Sequence, residues 1–200
     1  MNSEEVISQL SNVIGADSVI TDNKEREYFS MDVFDIDEVA DLVIQPNSKD
    51  QISDALKILS KSDYEIIPRG GGMSYTGGYT PSTKRSAIID TSFLNQIIEI
   101  NPDDMYITVE AGCTWKKIYE ALKPMGLRLP FFGTNSGSMA TVGGGLSNGA
   151  LFFGTGKYGS AADNVLGMEI IIADGTLIKT GQNAFADAKP HHRTYGPDTT

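Results

Sequence analysis

Fifteen of the 21 glycines in this 200-residue chain fall in two windows, five within 70–78 and ten within 133–167. Glycine lets main chain approach a neighbour more closely than any Cβ allows, at an entropic cost that makes it a poor interior residue of helices and strands. Two such windows therefore read as loops that bring backbone close to something, and a ligand is the first candidate. A chain of this length buries one sizeable core. Its composition, 40% apolar and 21% charged, is that of a globular protein rather than a disordered one.

Charge is unevenly spread. Residues 1–65 hold fifteen acidic against five basic side chains, and the remainder balances at eleven of each. A net charge of −10 with no basic stripe argues against nucleic acid and against an anionic membrane surface as partners. Residues 129–156 carry no charge, yet eight glycines with Pro130, Asn135 and Asn148 make a membrane span untenable there. The single cysteine, Cys113, forms no internal disulfide and no metal site alone, and the adjacent His191 and His192 diverge in either regular structure. The N-terminus has no cationic segment followed by an apolar run, so the cytoplasm is the expected compartment.

Apolar spacing predicts a helix from Ser3 with Val6, Ile7, Leu10 and Ile14 on one face, stopped by Gly15. Leu42–Ile44 is a short strand. Ser48 and Gln51 form a capping-box pattern ahead of a helix carrying Ile52, Ala55, Leu56 and Leu59. Tyr64–Ile67 reads as a strand ended by Pro68, and Ala87–Ile89 as another, so a βαβ unit carries the first glycine loop at a strand's carboxyl end. Beyond a boundary expected near 95–104, Met105–Glu110 alternates and Thr114–Leu122 is helical. Val165–Ala173 reads as a long strand entering a hairpin at Asp174-Gly175.

In the first loop, Arg69-Gly70-Gly71-Gly72-Met73-Ser74-Tyr75-Thr76-Gly77-Gly78, three successive glycines allow consecutive N–H groups to turn toward one point. Ser74 and Thr76 add hydroxyls and Arg69 a charge, a set suited to a buried pyrophosphate. No Gly-Lys-Ser/Thr follows, which excludes a P-loop. The second segment, from Phe131 to Gly149, offers hydroxyls, amides and bare backbone without charge, a lining that suits the flat ring and ribityl chain of a flavin. Gly154-Thr155-Gly156-Lys157-Tyr158-Gly159 matches G-x-G-x-x-G, but too few residues follow for a Rossmann crossover helix.

These motifs, with Val109-Glu110-Ala111-Gly112, Ala140-Thr141-Val142-Gly143-Gly144, Lys157-Tyr158-Gly159, Asp163–Glu169 and Ala173-Asp174-Gly175, stand in an order that resembles the PCMH-type FAD-binding domain. Within the vanillyl-alcohol oxidase superfamily that bears this domain, the glycolate oxidase and D-lactate dehydrogenase group is the most similar. The resemblance runs from about Ala40 to the end. It implies an α+β, two-lobed FAD-binding domain: a small βαβ lobe at about 39–98 and a larger mixed-sheet lobe at about 99–200, after an N-terminal helical extension at 1–38. A C-terminal substrate or cap domain of the family is not expected in this length.

By the same resemblance Arg69, Gly70, Gly71, Gly72, Met73, Ser74, Thr76 and Gly77 hold the pyrophosphate. Thr134, Ser136, Gly137, Ser138, Thr141, Gly143 and Gly144 line the flavin and its ribityl chain, and Asn148, Gly149, Tyr158, Ile171 and Ile172 pack the remainder. Met73 stands where relatives with a histidyl-tethered flavin have His, which implies non-covalent FAD. The implied function is the FAD-binding part of an oxidoreductase that takes a hydride from an alcohol or 2-hydroxy acid onto flavin N5 and passes electrons to an acceptor. Catalytic groups are expected outside these residues, so the 200 residues alone are not expected to turn over. Two alternatives stand beside this: a flavin reductase of the UDP-N-acetylenolpyruvoylglucosamine type, and a non-catalytic nucleotide-binding module.

Overall fold

The computed structural model describes residues 1–34, 36–130 and 136–181. The first part of the chain is built on α1 (Ser3–Ile14), β1 (Val19–Ile20), α2 (Asn23–Ser30), β2 (Leu42–Ile44), α3 (Lys49–Leu59), β3 (Glu65–Arg69) and β4 (Ser86–Asp90). Its four-stranded sheet has the order β1-β2-β4-β3, with β2, β4 and β3 parallel and β1 antiparallel at one edge. Register places Val43 and Ile67 beside Ile88.

Parallel strands covered on both faces are apolar throughout, and β2 and β4 are buried at every position. Leu42, Ile44, Ala87 and Ile89 pack under α1 and α3, against Val6, Leu10, Ile14, Ala55, Leu56 and Leu59. Val43, Ile67 and Ile88 face the other side, against Ala40, Tyr79 and Phe29. Pro68 does not end β3, as expected from its missing N–H. It lies inside the strand, exposed, because β3 is an edge strand where no ladder bond is lost.

In the second part, β5 (Ile97–Asn101) and β6 (Tyr106–Val109) form an antiparallel hairpin, so residues at the expected boundary are themselves a strand. The amphipathic α4 (Trp115–Leu122) buries Trp115, Ile118 and Leu122 against Ile97, Ile100, Ile107 and Val109. Two short helices follow, α5 (Val142–Ser147) and α6 (Thr155–Tyr158). The long strand expected at 165–173 is only β7 (Glu169–Ile171), paired with β8 (Leu177–Lys179) through the anticipated turn. It starts late because Ala162–Asn164 is a 3-10 turn and Gly167 lies against the Thr180 carbonyl. This hairpin docks on α3: Ser53 Oγ donates to the Gly175 carbonyl at 2.5 Å, and Lys49 pairs with Glu169 at 2.8 Å. Among the described residues no helix is long and apolar enough to cross a membrane.

Candidate functional site

The carboxyl ends of β2, β3 and β4 lie along one edge of the sheet, the position from which α/β proteins present ligand loops. Asp90, buried at the end of β4, accepts from Gln45 Nε2 at 2.8 Å and Ser92 Oγ at 2.6 Å. Beside it Arg69 ends β3 and its carbonyl accepts from Thr91 N at 2.9 Å. From this pinned corner the chain leaves into the first glycine loop. Among the described residues the N–H groups of Gly70, Gly71, Gly72, Met73 and Ser74 donate no hydrogen bond. These five residues are half-buried, so the loop holds a consecutive row of main-chain donors available to an anion.

The second glycine segment is zipped to the start of α4. Val142 N donates to the Cys113 carbonyl at 2.9 Å, Gly143 N to that of Ala111 at 2.8 Å, and Lys116 N to that of Gly137 at 2.9 Å. Thr141 caps α5 by accepting from Gly144 N at 3.2 Å. Gly112 is wedged beneath this, its N–H on the Leu94 carbonyl at 2.8 Å, and a Cβ there would collide with the Thr91 carbonyl.

The two segments meet face to face. A Cβ on Gly71 would overlap the Met139 carbonyl oxygen and lie 3.2 Å from Ala140 N. One on Gly70 would overlap Thr141 Oγ1 and reach within 3.8 Å of Gly144 Cα. Glycine is required at both positions for space. The two glycine segments are thus in direct contact, with the unpaired donors of residues 70–74 on one side and Thr141, Gly143 and Gly144 on the other.

Other sequence-predicted residues are placed differently. Ser74 and Thr76 hydroxyls bond each other at 3.0 Å, and Gly77 N donates to Asp32 Oδ2 at 3.1 Å. Arg69 is buried, its guanidinium 5.5, 5.0 and 5.4 Å from the ring centres of Tyr28, Phe29 and Tyr79. A Cβ on Gly72 would strike its Nη2, so the charge lies behind the loop and supports it. Burial also pushes the Tyr79 phenol up.

Ser136 and Gly137 are half-buried in the second wall, and Ser138, Asn148 and Gly149 are exposed beside it. Tyr158 and Ile172 are exposed, and Ile171 packs on the core beneath α3. Thr134 lies outside the described residues, as do Phe131, Phe132, His191 and His192. Cys113 is fully buried, and burial pushes its thiol up, away from reactivity. Sequence reasoning missed Asp32 and Asp90, for which an acid in an acidic stretch and an acid after an apolar strand give no signal.

Residues 40–181 match the FAD binding domain family. The chain belongs to that family. It is 30% identical over 197 residues to the glycolate oxidase subunit GlcD of Bacillus subtilis, covering 97% of this chain and 41% of that protein. It is 31% identical over 155 residues to the mitochondrial cytochrome-type D-lactate dehydrogenase of Kluyveromyces lactis, covering 76% of this chain and 26% of that protein. The backbone superposes on p-cresol methylhydroxylase with a TM-score of 0.83 at 18% identity, over 98% of this chain and 39% of that one. The chain thus spans well under half the length of these relatives, and one of them being mitochondrial leaves the expected cytoplasmic location without support.

FAD is the cofactor of this family, and the site fits it. The N–H groups of residues 70–74, which have no acceptor among the described residues, are the donor set that would hold an anionic pyrophosphate.

Proposed function

We propose that the crevice between residues 70–74 and 136–144 holds FAD, and that the chain is the FAD-binding part of an oxidoreductase acting on an alcohol or 2-hydroxy acid. The observation that carries this reading is the row of unpaired N–H groups from Gly70 to Ser74, facing a second wall made of glycine and threonine. The first wall binds the pyrophosphate through main-chain donors, while Thr141, Gly143 and Gly144 offer the ring and ribityl chain a neutral, close-packed surface. FAD bound there supplies the hydride acceptor for substrate oxidation. The chain's own contribution is binding, orientation and exclusion of water. The substrate class rests on the names of the relatives, glycolate oxidase and D-lactate dehydrogenase.

FAD attachment is non-covalent in this reading, because Met73 has no proton to lose and the Cys113 side chain is fully buried. The described residues bring no acid–base pair to the crevice, so FAD held by these 200 residues should not be bleached rapidly by lactate or glycolate. Hydrogen exchange with and without FAD tests the site: slowed exchange at 70–74 and 139–144 is expected. Binding without protection there would overturn the assignment, and bleaching by a nicotinamide alone would favour the reductase alternative.

A further inference from the structure

The family match begins at residue 40, yet the first glycine loop is tied to residues that precede it. Three contacts join residues 32–34 to the loop. Asp32 Oδ2 accepts from Gly77 N at 3.1 Å while its Oδ1 accepts from Phe34 N at 2.7 Å. Val33 N donates to the Ser74 carbonyl at 3.3 Å. The Phe34 ring meets Tyr75 edge-on, 6.2 Å between centres at 88°. A fourth support comes from α2, whose Tyr28 and Phe29 rings flank the Arg69 guanidinium beneath Gly72.

We infer that residues 28–34 form a strap that preorganises the FAD loop, with Asp32 as its positioning residue. This rests on the reading of residues 70–74 as the pyrophosphate site. A loop with five glycines between 70 and 78 loses more backbone entropy on ordering than one of ordinary composition. A donor row fixed before the ligand arrives spares binding that cost. Asp32 meets the demand from outside the row: it takes the N–H of Gly77, beyond Ser74, and leaves Gly70–Ser74 free. Toward a pyrophosphate its charge is unfavourable, since a carboxylate repels an anion. The two roles therefore predict opposite outcomes for a neutral replacement.

The test is FAD titration of the full chain and of Asp32→Asn, with hydrogen exchange of the FAD-free proteins across 72–78. Asn keeps one carbonyl acceptor for two N–H donors and removes the charge. The strap predicts FAD affinity lowered about tenfold, the equivalent of one hydrogen bond to a charged group, with faster exchange across the loop. Affinity unchanged or tightened overturns it. Should Asp32→Asn fail to fold, Phe34→Ala serves, because that ring is 79% exposed and supports no core. About threefold weaker FAD binding with faster loop exchange is expected, on the scale of an aromatic pair, and no change in either overturns the strap. Absence of FAD protection at 70–74 in the unsubstituted chain overturns the site assignment and the strap with it. Protection there with an unaltered Asp32→Asn affinity overturns the strap alone.

Discussion

Gly71→Ala is the smallest change that probes the apposition of the two glycine segments. The added methyl lands on the Met139 carbonyl, with the carbonyl carbon at 2.5 Å and Ala140 N at 3.2 Å. Ordinary contact begins at 3.4 Å, and the carbonyl oxygen lies nearer than its carbon, so the walls must part by roughly 2 Å. The neighbour has little freedom to yield. Met139 N and Ala140 N both donate to the Ser136 carbonyl, at 2.8 and 2.9 Å, and the Ala140 carbonyl accepts from Trp115 N at 3.2 Å. The φ of Gly71 is not positive, so backbone strain contributes nothing and the effect is steric. Overpacking of this kind costs about 1–3 kcal/mol of stability. Displacement of the donor row by the same movement should weaken FAD by roughly ten- to a hundredfold, at about 1.4 kcal/mol per factor of ten. Urea unfolding of the FAD-free protein and flavin-fluorescence titration read the two effects separately. Gly78→Ala is the control, since nothing lies within 4 Å of a Cβ there and its φ is also not positive. Equal stability and equal FAD affinity for Gly71→Ala and Gly78→Ala would refute the apposition.

Arg69→Ala should lower stability of the FAD-free protein by about 2–4 kcal/mol through loss of the buried cation among three rings, and Arg69→Lys should rescue little because an ammonium cannot stack as a planar guanidinium does. A full rescue in thermal unfolding would contradict that placement. The bond from Lys49 holds the Glu169 carboxyl below its ordinary range and raises Lys49. The Glu169 share of hairpin docking is thus fully present above the ordinary glutamate value and is lost as pH falls through its lower folded value. Salt should reduce that share, both side chains being partly exposed; protection of the Ile170 and Ile178 amides, taken relative to the unstructured exchange rate at each pH, that is independent of pH and salt would count against it. Acid precipitation of the FAD-loaded chain should release intact FAD and leave an unmodified protein mass, whereas a flavin-sized adduct would show a tether.

Periodicity carried the elements that pack on a core. The helices at Ser3–Ile14, Lys49–Leu59 and Trp115–Leu122 and the strands β2 and β4 were legible because burial on one face writes itself into residue spacing. The α2 helix was not, since NKEREYFS has no apolar stripe and is held by its Asp22 cap, which accepts from Lys24 N and Glu25 N. The glycine clusters announced close approach without saying to what. That the partner of Gly71 is the Met139 carbonyl cannot be read from side-chain types, because the contact is backbone on backbone. The capping pattern at Ser48 was half right: Ser48 accepts from Gln51 N, but Gln51 Oε1 turns to Asn47 N. The surroundings of Arg69 were hidden for a related reason, as the rings that enclose it come from residues forty positions earlier and ten later.

The β7–β8 hairpin reaches α3 across 120 to 122 residues of intervening chain. During synthesis the helix that covers the first sheet is therefore complete long before its own outer side has a partner. Ser53 and Lys49 stay facing water until Gly175 and Glu169 have left the ribosome and the Asp174-Gly175 turn has closed. Contacts so distant in sequence form late and slow the final step of assembly. Severing the chain between its lobes would leave the N-terminal piece with a foldable sheet and an unfinished flank, and the C-terminal piece with a hairpin that has lost its dock.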